Sequence, residues 1–151
     1  MEPKILVIFI ENMAGRKQKN VSGKSKNISR SKIGKRNKQR GNSYERKLIN
    51  ELKEITGNEN LCSSRADSKN LDNMKIDISD PDNVLSFYVQ AKATQAVPQI
   101  KKINAEVGLK DKPLVIFWNA QEPREHNQIS VGEYTILSKE FFYDLIKLLY
   151  K

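Results

Sequence analysis

The chain has 151 residues, 38% hydrophobic and 30% charged, which fits one compact domain with a polar appendage and falls short of the usual size for two. No apolar run approaches the ~18 residues that a membrane-spanning helix requires, and the single cysteine, Cys62, excludes an intrachain disulfide and a cysteine-built zinc site. The net charge of +9 is unevenly placed: residues 16–40 hold 11 bases and no acid, leaving 16 bases against 18 acids elsewhere.

Residues 1–12 contain the strand-like run Ile5 to Ile10, too short to span a membrane and lacking the cleavage pattern of a secretory signal. They read either as an extension ahead of a start at Met13 or as a strand that adds to a sheet edge, a partner's included. Residues 13–41 form a basic arm in which only Val21, Ile28 and Ile33 are large aliphatics. Such a segment buries too little apolar surface to offset its ordering entropy, so a mobile arm is expected. Basic arms neutralise phosphates. A solubilising tail or an anionic-membrane contact are the rival readings, but the arm has no aromatic residue and little amphipathic pattern for insertion.

From Asn42 to Lys151 the chain is periodic. Tyr44, Leu48, Leu52 and Ile55, widened by Ile49, predict a helix that Gly57 stops. A short strand is expected within 60–65, then a polar loop over 66–73. Met74 to Ser79 and Leu85 to Lys92 both alternate apolar and polar residues about an Asp80-Pro81-Asp82-Asn83 turn, predicting a hairpin. A helix within 96–107 follows, then a doubly buried strand over Pro113 to Trp118 and a strand over Ile129 to Leu137. Ser138 caps a last helix whose predicted buried face is Phe141, Phe142, Leu145, Ile146 and Leu149, with a dimer contact as the alternative. The order predicts an α/β fold: a mixed sheet flanked by helices.

Alternation places Asp77 opposite Ile76 and Ile78, and Gln90 and Lys92 opposite Val89 and Ala91, so the polar faces of the two strands should converge. Glu45, expected in the first turn of the opening helix, points along the edge of its buried face. Two carboxylates and an amide oxygen are hard ligands suited to Mg²⁺, and a lysine beside them can position water or stabilise charge on a phosphate. These are the parts for phosphodiester hydrolysis.

Asp77, twelve intervening residues and Gln90-Ala91-Lys92 resemble the PD-(D/E)xK nuclease signature. Within that superfamily, Gly41 to Leu48 resembles the opening helix of archaeal-type and phage Holliday-junction resolvases, and Ser63-Ser64-Arg65 their serine- and arginine-bearing segment. The resemblance implies a restriction-endonuclease-like αβββαβ core. Glu45, Asp77, Gln90 and the Ala91 carbonyl would hold Mg²⁺, or Mn²⁺ in its place, with Lys92 as the catalytic lysine. Ser64 or Arg65 would contact the scissile region. It further implies cleavage of branched DNA by a cytoplasmic homodimer in phage or prokaryotic recombination, with Arg30, Lys32, Lys35, Arg36, Lys38 and Arg40 of the arm on DNA phosphates. Gln90 stands where most members have an acid, as in the Mrr-like branch. It removes one negative charge, for which Asp67 and Asp72 are candidate compensators.

Taken singly, these residues have plainer readings. Glu45 completes a capping box with Asn42, and Asp77, Gln90 and Lys92 are ordinary solvent-facing strand residues. His126 reads as an exposed loop residue, Cys62 as packing, and Trp118 as core or interface. Two rivals to the resolvase remain: an Mrr-like nuclease acting on duplex DNA, and a non-catalytic nucleic-acid-binding protein with a decayed site.

Overall fold

The computed structural model describes residues 5–7, 30–108, 110–125 and 127–150. Its longest element is helix α1 (Arg30–Thr56). The predicted stripe forms the seam of a core, with Tyr44, Leu48, Ile49 and Leu52 buried. Ile55, placed on that stripe from the sequence, is instead 78% exposed. Gly57 ends the helix as expected: it adopts a φ of 69° and its N–H returns to the Lys53 carbonyl at 2.8 Å.

The helix begins at Arg30, not Asn42, which corrects the expected boundary between arm and domain. Residues 30–41 are helical although they bury no apolar stripe. Lys, Arg and Gln have good helix propensity, and a helix nucleated on the packed half extends at the cost of one residue's order at a time. The rest of the basic arm, 13–29, lies outside the described residues, as does His126.

After α1 the chain makes a small two-stranded antiparallel ladder, β2 (Cys62–Ser63) against β3 (Ile78–Ser79). Between them, where a polar loop was expected, lie two short helices, α2 (Ser64–Asp67) and α3 (Lys69–Asn73). Ser68 caps the second by accepting the Leu71 N–H at 3.4 Å. The Asp80 to Asn83 turn forms, with Asn83 N–H on the Asp80 carbonyl at 3.1 Å.

The expected hairpin does not. Strand β4 (Tyr88–Thr94) pairs in parallel with β5 (Leu114–Arg124) through the crossover helix α4 (Ile100–Glu106), as parallel neighbours require. Ser79 is buried beside Ile76 and Ile78, so the alternation read from Met74 to Ser79 does not persist as a half-buried strand. Strand β6 (Asn127–Ser138) runs antiparallel to β5, with a register shift between Ala120 and Gln121. β4, β5 and β6 form the body of a mixed sheet, and β1 (Ile5–Val7) adds antiparallel along β6, giving the order β1-β6-β5-β4. The sheet-edge reading of residues 1–12 therefore holds for Ile5 to Val7, on the chain's own sheet.

Two apolar clusters cover the two faces. Val89, Ala91, Ala93 and Phe117 pack with the α1 residues, together with Leu61, Ile78 and Leu85. Ile116, Trp118, Ala120 and Ile136 pack with Ile103 and Val107 at α4. The central-strand prediction for Pro113 to Trp118 is thus met, since β5 contributes to both. The last helix, α5 (Lys139–Leu149), is capped by Ser138, which accepts the Phe141 N–H at 3.1 Å. It docks through Phe141 against Phe87, with ring centroids 6.0 Å apart. None of its residues is fully buried, and Leu149 is 79% exposed, so the buried face expected there is covered only in part. Among the described residues no helix is long and apolar enough to cross a membrane. The fold is a mixed α/β sandwich whose order runs α1-β2-β3-β4-α4-β5-β6-α5, with α2 and α3 inserted between β2 and β3 and those two strands in a ladder apart from the main sheet.

Candidate active site

Asp77 is the crossing point of three segments. Its backbone N–H donates to the Val89 carbonyl at 3.0 Å, and its own carbonyl accepts the Ser64 N–H at 3.0 Å. Its side-chain Oδ2 then accepts the Ala91 N–H at 2.8 Å. The residue reaches this position from Lys75, whose φ of 61° turns the chain sharply just before it. Asp77 therefore sits at the free edge of β4, bracketing Gln90 with one contact on either side. A strand residue's N–H and C=O leave on the same edge, so the Ala91 carbonyl also points to the Asp77 side.

Glu45 is buried, one residue beyond the Tyr44 that anchors α1. One carboxylate oxygen accepts the Ser63 hydroxyl, and the other pairs with the Arg65 guanidinium. Arg65 also donates to Asn42 Oδ1 at 3.0 Å. Glu45 lies in the middle of the 27-residue helix, so neither the first-turn placement nor the capping box with Asn42 survives. What places its carboxylate is the packing of Tyr44 and Leu48 on either side, which fixes the rotation of the helix.

Burial pushes the Asp77 carboxyl above its ordinary range, opposed by the Ala91 N–H and by the charges of Lys92 and Arg65 and reinforced by Glu45. Charges from α1, α2 and β4 thus act on Asp77 at this edge. Burying a carboxylate in such a place is costly unless positive charge or a cation offsets it.

No protein-family model, curated protein or solved structure matches this chain. The site must be judged on its own chemistry.

Among the described residues no three His, Cys, Asp or Glu side chains cluster as a metal site. The donor set at Asp77 is of another composition: two carboxylates, an amide oxygen and a backbone carbonyl. Gln90 is buried and its Oε1 oxygen has no hydrogen-bond partner. A buried acceptor without a partner, on the residue preceding the Ala91 that donates to Asp77, is what a hard cation satisfies, so the residues present fit Mg²⁺. Parallel register puts Gln90 beside Ile116 and Lys92 beside Trp118, on the sheet face covered by α4, as the alternation required.

The other expected site residues fall differently. Ser64 is 0% exposed, so it cannot reach a DNA backbone; its neighbours Ser63 and Arg65 instead engage Glu45. Asp67 accepts the Ser79 hydroxyl and Asp72 lies on α3, and neither is among the charges acting on Asp77. Lys32, Lys35, Arg36 and Lys38 are exposed along the first turns of α1. Arg40, half-buried, donates to Asn37, and Arg30 opens the helix. Asn42 and Ser63 were not predicted as part of the site. Their signal in the sequence is faint, a polar residue one turn before Glu45 and a serine on a two-residue strand.

Proposed function

We propose that the chain is a Mg²⁺-dependent endonuclease acting on DNA, with branched DNA as its preferred substrate and a homodimer as its working form. The observation that carries this reading is the half-buried Asp77 carboxylate, latched to β4 by the Ala91 N–H, with Lys92, Glu45 and Arg65 close enough to act on its charge. Glu45, Asp77, Gln90 and the Ala91 carbonyl would hold the cation, with Mn²⁺ as a substitute. Bound there, the metal supplies Lewis acidity and a more acidic water. Lys92 carries the fixed positive charge of the site, placed to stabilise negative charge gathering on a phosphate or to orient the attacking water. Arg65, tied to Glu45 by one nitrogen and to Asn42 by another, holds that carboxylate in position. The basic first turns of α1 supply phosphate contacts that position DNA without reading its sequence. A symmetric four-way junction needs two cuts, hence two copies.

One observation favours a different reading. The Glu45 carboxylate is already engaged by Arg65 and Ser63, and Gln90 lacks the charge of an acid. A non-catalytic DNA-binding protein would look similar.

The test is cleavage of a labelled four-way junction beside linear duplex of matching sequence, with Mg²⁺, Mn²⁺ and EDTA. Paired, metal-dependent nicks at the junction are expected, reduced on the order of a hundredfold or more in Asp77→Ala and Lys92→Ala with binding retained. Equal cutting of linear duplex would replace the resolvase by a general duplex nuclease. Salt-sensitive binding with no cutting would establish the binding protein.

A further inference from the structure

A cleft of about 500 Å³ lies between the first turns of α1 and the β5–β6 hairpin. Tyr44 and Ala93, which line it, adjoin Glu45 and Lys92 in the chain, while none of Glu45, Asp77, Gln90 or Lys92 lines it. Its α1 wall presents Arg36, Arg40 and Lys47, and the opposite wall presents Asn119, Gln121 and Gln128; the acid beneath them, Glu133, is engaged by Lys47 and Asn119.

The floor is built, not incidental. Lys47 donates to Glu133 at 2.6 Å, Asn119 donates to the same oxygen at 3.2 Å, and Gln121 donates to Asn119. The β5–β6 register shift between Ala120 and Gln121 lies at this point, a device that re-aims side chains beside functional sites. Gln121 is buried and the Arg40 Nε–H, also buried, has no partner. Lys47 is offset by Glu133, and Arg40, with its unpartnered buried Nε–H, offers the cleft's open guanidinium donor.

We propose that this cleft binds an unpaired nucleic-acid strand. Guanidinium groups take phosphates, and side-chain amides match the exposed hydrogen-bonding edges of unstacked bases, a pairing found where single strands are held. A cleft of this size takes roughly one or two nucleotides, not both strands of a duplex. The inference rests on the nuclease reading for its ligand and deepens it: the feature recognised in branched DNA is the strand that leaves the duplex.

The test is fluorescence anisotropy of the full chain with a labelled oligothymidylate and, separately, a blunt duplex of equal length, in EDTA so that cutting does not intervene. Gln128→Glu, on the rim of the cleft and outside the active site, is expected to weaken single-strand binding about tenfold and blunt-duplex binding much less. Arg40→Ala is the second variant, and thermal unfolding of both shows that each folds. Equal weakening on both ligands, or no weakening of single-strand binding in either variant, overturns the cleft. A protein that cuts nothing but shows the selective loss keeps the cleft and discards the nuclease. One that cuts branched DNA while both variants bind single strand normally does the reverse.

Discussion

The two halves of α1 belong to one continuous helix but obey different physics. From Tyr44 onward its order comes from apolar burial against the sheet, and that burial fixes where Glu45 points. From Arg30 to Ser43 nothing apolar is fully buried, Ile33 is exposed, and six bases stand without an acid at the end of the helix where the macrodipole disfavours positive charge. The second half is held by the core. The first is held by propagation from the second, and its charge is best satisfied by a polyanion. One helix thus carries a packed group, Glu45, at its middle and an unpacked basic stretch at its start.

The largest break in that comparison should come from Leu48→Ala, which opens a cavity in the α1 cluster. A loss of about 2–5 kcal/mol is expected by denaturant unfolding, against no more than about 0.5 kcal/mol for Ile33→Ala in the exposed half. Comparable losses would mean that both halves are packed. Next, Lys35→Gln with Lys38→Gln should leave stability unchanged but flatten the plot of log binding constant against log salt by about 2. An unchanged slope would remove this surface from the DNA contact.

Asp77 offers a test by pH. Its folded-state carboxyl is raised, so the protonated form is favoured by folding, and that stability is lost as pH rises through the raised value. Asn mimics the protonated form and still accepts the Ala91 N–H. Asp77→Asn should therefore unfold at a higher temperature than the parent at neutral pH in EDTA, with the advantage shrinking toward the ordinary value of 3.8 and below. Parallel curves across pH would show that burial does not penalise this carboxylate. The smallest expected effect sharpens the comparison most. An added Cβ at Gly34 meets nothing within 4 Å, so Gly34→Ala should stabilise by about 0.5–1 kcal/mol if the first half of α1 is helical in the free protein. No change would mean that it is not.

Local pattern was enough for several elements. The Tyr44 to Leu52 stripe, the Gly57 stop, the Asp80 turn, the doubly buried β5 and the Ser138 cap are all decided by residues within a few positions of one another, and each formed as read. The spacing that singles out Asp77, Gln90 and Lys92 was equally visible. What pattern could not supply was pairing. Two alternating runs about a tight turn suit a hairpin, yet β4 finds a parallel partner 26 residues away in Leu114 to Ala120, because that choice buries both faces of β5. Asp77 consequently joins β4 by one backbone bond to Val89 and by its side chain, without a continuing ladder. Nor did composition reveal that the basic stretch from Arg30 is helical, since its order derives from a neighbour's packing and not from its own residues. The chain by itself determined the local elements and the spacing of Glu45, Asp77, Gln90 and Lys92. Only tertiary structure decided that Arg65 and Ser63 hold Glu45, that Ser64 is sealed inside, and that amides of the β5–β6 hairpin face the arginines of α1, because each of these contacts joins residues 18 or more positions apart and depends on how whole elements stack.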